Sequence, residues 1–82
     1  MRILLIGYGK MGKTIEQLAL QRNHSIVERI DQDNTDVWDT LGKDAADIAI
    51  EFSQPDAAAA NIRHCLSRGI PIVSGTTGWL NH

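Results

Sequence analysis

Residues 3–12 read Ile-Leu-Leu-Ile-Gly-Tyr-Gly-Lys-Met-Gly, and the fold follows from that stretch. Ile3 to Ile6 form an unbroken apolar run, the mark of a short strand buried on both faces inside a parallel sheet. The next six residues, Gly7-Tyr8-Gly9-Lys10-Met11-Gly12, carry the G-x-G-x-x-G spacing of a strand-to-helix turn that cradles a diphosphate. Gly7 permits the tight turn off the strand. Gly9, lacking a Cβ, lets the backbone approach the anion, and Gly12 lets the helix pack closely on the sheet. The free N–H groups and positive end of that helix face the same point.

Outward from this corner, further elements follow in regular order. Met11 to Arg22 has a helical stripe in Met11, Ile15, Leu18 and Ala19, and Asn23-His24 is its exit. Ser25 to Ile30 is a second strand ending at Asp31. Thr35 to Leu41 fits a short helix capped by Thr35 and closed by Gly42. Ala46 to Phe52 is a third strand. Pro55 then opens a helix whose inner face is Ala58, Ile62, Cys65 and Leu66, with Gly69 as its stop. Ile70 to Ser74 is a fourth strand, followed by the loop Gly75-Thr76-Thr77-Gly78. This is an α/β chain with a Rossmann-type parallel sheet and helices on both faces, for which right-handed crossovers predict the order 3-2-1-4. The fourth strand is left at an open edge, so the pattern reads as the beginning of a larger unit.

Composition narrows the function. The chain has 82 residues, 43% of them hydrophobic, with net charge -2, which suits one small domain. The acidic balance offers no footprint for nucleic acid or a membrane surface, and no apolar run approaches the ~20 residues of a membrane span. No leader is visible, since Met1-Arg2-Ile3 enters the first strand directly. Cys65 is the single cysteine, which suits a reducing, cytoplasmic setting.

All strands of a parallel sheet end on one edge, and the residues hardest to explain by packing fall there. Asp31 stands 19 residues after Gly12, close to the ~20 of the acid that binds an adenosine ribose. Gln32 follows where a 2′-phosphate binder places arginine, and Asp33 adds negative charge. This leans toward NADH over NADPH, with Arg29 or Lys10 as the available compensating cations. Lys10 reads equally as a phosphate contact or an exposed lysine. Met11 reads as a packing residue or an apolar wall along a cofactor, and Tyr8 as a shield for the loop. Gly75, Thr76 and Thr77 offer the donors and acceptors that hold a carboxamide, or else cap a following helix. Phe52 is the apolar neighbour for a cofactor ring, and Ser53 a helix cap. His64 and Cys65 are adjacent on one helix and form no nucleophile–base pair. No spacing suits a metal site, and Asp44, Asp47, Glu51 and Asp56 read as solvated.

Three stretches, RILLIGYGKMGKTIE, DIAIEFSQPDAAAANI and IPIVSGTTGW, resemble the N-terminal half of the 4-hydroxy-tetrahydrodipicolinate (dihydrodipicolinate) reductases, over essentially all 82 residues. F-S-x-P followed by V-S-G-T-T-G-W is far more specific than the glycine loop. The resemblance implies an oxidoreductase of lysine and diaminopimelate biosynthesis, in which NADH or NADPH passes hydride to a cyclic dicarboxylate. It implies that Gly7 to Gly12 hold the pyrophosphate, that Asp31 holds the ribose, and that Gly75, Thr76 and Thr77 hold the nicotinamide. It also implies a second domain with the histidine proton donor, a lysine, the substrate contacts and a tetramer interface. By that resemblance the 82 residues are a cofactor half, with no catalytic residue and no activity alone. The loop departs from the pattern in being one residue shorter between its first two glycines than in many relatives. A Rossmann half of an aspartate or homoserine dehydrogenase fits Gly7–Gly12 and Asp31 equally well. A non-catalytic nucleotide-sensing domain fits the lack of catalytic groups.

Overall fold

In the computed structural model, which describes residues 1–75, the elements are β1 (Arg2–Ile6), α1 (Lys10–Gln21), β2 (Ser25–Ile30), a 3₁₀ helix (Thr35–Thr40), β3 (Ile48–Glu51), α2 (Pro55–Ser67) and β4 (Ile72–Ser74). The strands form one four-stranded parallel sheet in the order β2-β1-β3-β4. The Rossmann-type class is as the sequence indicates. So are the pairing of β1 with β2 and the place of β4 at an edge. Within that outline β3 differs from the expected 3-2-1-4: it lies between β1 and β4, not outside β2.

The side-chain pattern explains the placement. β2 alternates over Ser25–Glu28, with Ser25 and Val27 exposed and Ile26 and Glu28 half-buried, which suits an edge. β3 buries Ala49 and Glu51 completely and so needs a neighbour on each side. The chain after β2 therefore recrosses β1 through the 3₁₀ helix. Its buried Trp38 joins Leu4, Ile6, Ile30, Cys65 and Ile70 in one core cluster. Arg68 fastens this crossing to α2, donating to the carbonyls of Leu41 and Trp38 at 2.9 Å each. The His64 ring stacks on Trp38 with centroids 4.6 Å apart.

α1 covers the other face, where Ala19 is buried with Ile3 and Leu5, and Ile15 packs against them. Its inner stripe is Gly12, Ile15 and Ala19; Met11 and Leu18 are exposed, so the expected stripe is rotated by about one residue. The rotation follows from Gly12, whose missing side chain lets the helix lie on the Gly7 carbonyl. In α2 the inner face is Ala58, Asn61 and Cys65, and Leu66 points outward. Pro55 occupies the first turn and Gly69, at φ +68°, follows the helix end, both as expected. The cap of the 3₁₀ helix is Asn34, not Thr35, and the helix ends at Thr40, with Leu41 as its C-terminal cap before Gly42.

Candidate functional site

The four strand ends lie in one row. Ile6 pairs with Ile30 of β2 and with Glu51 of β3, and Glu51 pairs with Ser74 of β4. A cleft of about 420 Å³ opens beyond this row, lined by Gly7, Tyr8, Gly9, Asp31, Phe52 and Ser53 among others. It sits where the chain switches from one side of β1 to the other, the usual ligand position in an open α/β sheet.

The glycines of the loop divide by what surrounds them. Gly7 has φ +89° and donates its N–H to the Ile30 carbonyl at 2.7 Å. A Cβ there would meet the Phe52 carbonyl and stand 2.8 Å from the Ser53 nitrogen. Gly12 is packed against the Gly7 carbonyl in the same way. Gly9 is different: nothing lies within 4 Å of where its Cβ would be. No packing within the described residues demands glycine at 9, whereas an anion seated on the loop does. The Gly9 carbonyl accepts the Lys13 N–H at 3.0 Å, the first turn holds no acidic residue, and no side chain caps α1. The amides of Lys10, Met11 and Gly12 precede that first helical bond, and the positive helix end is not neutralised locally.

Tyr8 and its neighbours form one side of the loop. The Tyr8 hydroxyl donates to Glu16 at 2.8 Å, and Glu16 also pairs with the Arg29 guanidinium. Lys13 and Arg29 stand 5.7 Å and 5.8 Å from the Tyr8 ring centre. The hydrogen bond to the carboxylate raises the Tyr8 pKa, and donation from Tyr8 and then Arg29 holds Glu16 below the usual carboxylate range. Glu16, off the expected apolar stripe, is therefore a half-buried tie between α1 and β2.

Asp31 is exposed on the cleft wall. Asn34 clips its turn, accepting the Asp31 N–H at 2.6 Å and donating to the Arg29 carbonyl at 2.7 Å. One Asp31 oxygen takes the Gln32 N–H at 2.9 Å. Lys10 and Met11 are exposed in the first turn of α1 and do not line the cleft, so Met11 is not a packing residue.

Beyond β3 the sequence reading needs two corrections. Ser53 does not cap α2: Gln54 holds the cap position without a side-chain bond, and the Ser53 hydroxyl turns back to Glu51. Glu51 is not solvated but fully buried, because β3 is an interior strand and its last side chain points into the layer beneath α2. Asp47 remains exposed and pairs with Arg2 at 3.1 Å, while Asp44 and Asp56 are exposed. Asn61, absent from the sequence-based candidates, is buried on the cleft and donates to Ser53 at 3.1 Å. Its place one turn after Ala58 was the available signal. Phe52 lines the cleft, and its ring lies where a Cβ on Gly75 would stand. Thr76 and Thr77 lie outside the described residues.

His64 and Cys65 do not line the cleft, and Cys65 is buried in the core, as its place on the inner face of α2 suggests. Burial, then the nearby Arg68 and Arg63, lowers the His64 pKa. Burial pushes the Cys65 thiol up to about 11. Among the described residues no group of His, Cys, Asp or Glu is placed to hold a metal, and no helix is long and apolar enough to cross a membrane.

The family described as "Dihydrodipicolinate reductase, N-terminus" matches residues 1–82. The 4-hydroxy-tetrahydrodipicolinate reductase of Christiangramia forsetii is 49% identical over 99% of this chain and 33% of its own length. Those of Beutenbergia cavernae and Corynebacterium urealyticum are 36% and 32% identical, over 95% and 87% of this chain and 31% and 28% of theirs. The chain thus spans about a third of the length of these relatives. With a match along all 82 residues, it belongs to the dihydrodipicolinate reductase family, to that family's N-terminal portion.

Proposed function

We propose that residues 1–82 are the dinucleotide-binding domain of a 4-hydroxy-tetrahydrodipicolinate reductase, and that the site holds NADH in preference to NADPH. The observation that carries this reading is Gly9, a glycine with open space around it, at an uncapped helix start beside exposed Asp31. In this reading the amides following Gly9 hold the diphosphate, aided by the α1 dipole, and Asp31 accepts from the adenosine ribose hydroxyls. Phe52 and the loop from Gly75 through Thr76 and Thr77 receive the nicotinamide end. When bound, the reduced nicotinamide supplies a hydride.

The preference for NADH rests on charge. Arg29 is engaged by Glu16 and Tyr8, and Gln32 and Asp33 flank the ribose acid without a cation. A 2′-phosphate would add negative charge beside Asp31 and Asp33. The cyclic dicarboxylate acceptor, the proton donor and the tetramer contacts belong to the remainder of the full-length cytoplasmic enzyme. Residues 1–82 alone bind cofactor and turn nothing over.

Calorimetric titration of the full-length protein with NADH, NADPH and ADP-ribose tests this reading, together with turnover of the dicarboxylate. Tighter binding of NADH than of NADPH, with reductase activity, supports it. Equal binding of NADH and ADP-ribose without activity identifies a nucleotide sensor. No binding of any of the three rejects the site.

A further inference from the structure

Glu51 is the last residue of an interior strand, and none of it reaches solvent. A carboxylate placed there loses its water and needs donors in exchange. Among the described residues the donors come from the turn that follows the strand and from β4 beside it. The Ser53 N–H reaches Oε2 at 2.6 Å, the Ser53 hydroxyl donates to the same oxygen, and the Ser74 hydroxyl reaches Oε1 at 2.6 Å. Asn61 in turn holds Ser53 at 3.1 Å. The main chain repeats the connection, for the Glu51 carbonyl accepts the Gly75 N–H at 2.7 Å and the Phe52 N–H donates to Ile6 at 2.8 Å.

An apolar residue of similar size commonly stabilises a core as well as a buried carboxylate does. The carboxylate adds direction: it fixes the Phe52–Ser53 wall and the end of β4 at one spacing. That wall is also the surface against which Gly7 closes on one side and Gly75 on the other. We propose that Glu51 is a positioning residue for the dinucleotide site, holding the Phe52–Ser53 wall beside the diphosphate loop and the end of β4 at Ser74 and Gly75 in one register for a single cofactor. This inference rests on the cofactor reading above and extends it to a residue that does not line the cleft.

The test is calorimetry on the full-length protein with NADH and ADP-ribose as paired probes, in the wild type, Glu51→Gln and Ser74→Ala. Glutamine keeps the shape but replaces one acceptor oxygen by a donor, and Ser74→Ala removes only the tie to β4. The expected result is a fall in the ratio of NADH to ADP-ribose affinity by about fivefold or more, with ADP-ribose binding nearly unchanged. A ratio that stays within about twofold of wild type, whatever happens to thermal stability, overturns the proposal and leaves Glu51 a purely structural residue. Should Glu51→Gln fail to fold, Ser74→Ala carries the same decision. Wild-type protein that binds neither probe rejects the cofactor reading itself, and this proposal with it.

Discussion

A Cβ on Gly7 would run into the main-chain carbonyl of Phe52, so the turn after β1 closes directly on the wall after β3. Both sides of that contact are main chain, which cannot rotate away as a side chain can. Gly7 also sits in the left-handed region at φ +89°. The two facts make position 7 a structural glycine, whereas at position 9 nothing lies within 4 Å of where a Cβ would stand.

Gly7→Ala is therefore expected to destabilise the domain by about 2 kcal/mol or more, from left-handed strain and overpacking together. Gly9→Val is expected to cost within about 1 kcal/mol, since its side chain enters open space, and yet to abolish dinucleotide binding. Urea unfolding and calorimetric titration of both variants check the pair. Equal loss of stability in the two would remove the distinction.

Asp31→Ala is expected to weaken NADH binding by ~1–3 kcal/mol, the scale of a lost charge-assisted hydrogen bond. Fold stability should change little, because Asn34 rather than Asp31 clips the turn. Unchanged affinity in a folded variant takes Asp31 out of the site.

Burial, then Arg68 and Arg63, lowers the folded pKa of His64 below the ordinary 6.5, with Asp39 opposing. The unfolded chain then binds the proton more readily, and stability must fall as pH drops from about 6.5 through the folded value. Above that window His64 imposes no such loss. His64→Phe keeps a ring against Trp38 and should flatten the slope of unfolding free energy between pH 7 and 5; an unaltered slope would assign it to other groups.

The Cys65 thiol, fully buried and pushed up to about 11, is expected to resist an aromatic disulfide reagent at pH 8 in the folded protein and to react at once in urea. Rapid native-state labelling would show that the contact between α2 and the sheet opens easily.

The strands and helices were legible because their signals are local. Ile3 to Ile6 could only be an interior strand, Pro55 and Gly69 punctuate α2, and the glycine loop announces α1. The position of β3 was not legible, since it depends on a crossing stabilised by Trp38 against His64 and Arg68, a pair that lies far from it in sequence. The burial of Glu51 follows from that same crossing and was hidden with it. That Asp31 and Phe52 line the cleft could be expected, because the ends of parallel strands share one edge. Asn61 and Ser53 were missed or misassigned, since their partners come from the tertiary fold.

The row of Ile30, Ile6, Glu51 and Ser74 has a consequence for how this domain can vary. The strands terminate at one common height, like pillars beneath a floor. One residue inserted within any of them without a compensating irregularity, such as the register shift of β2 opposite Ile3 and Leu4, would lift its loop by about 3.3 Å and turn its inward side chains outward. Residues added after the row leave the other loops where they are. Change in this domain is thus tolerated above the floor and resisted below it, and swapping loops while keeping every strand's length is the route to a new ligand preference.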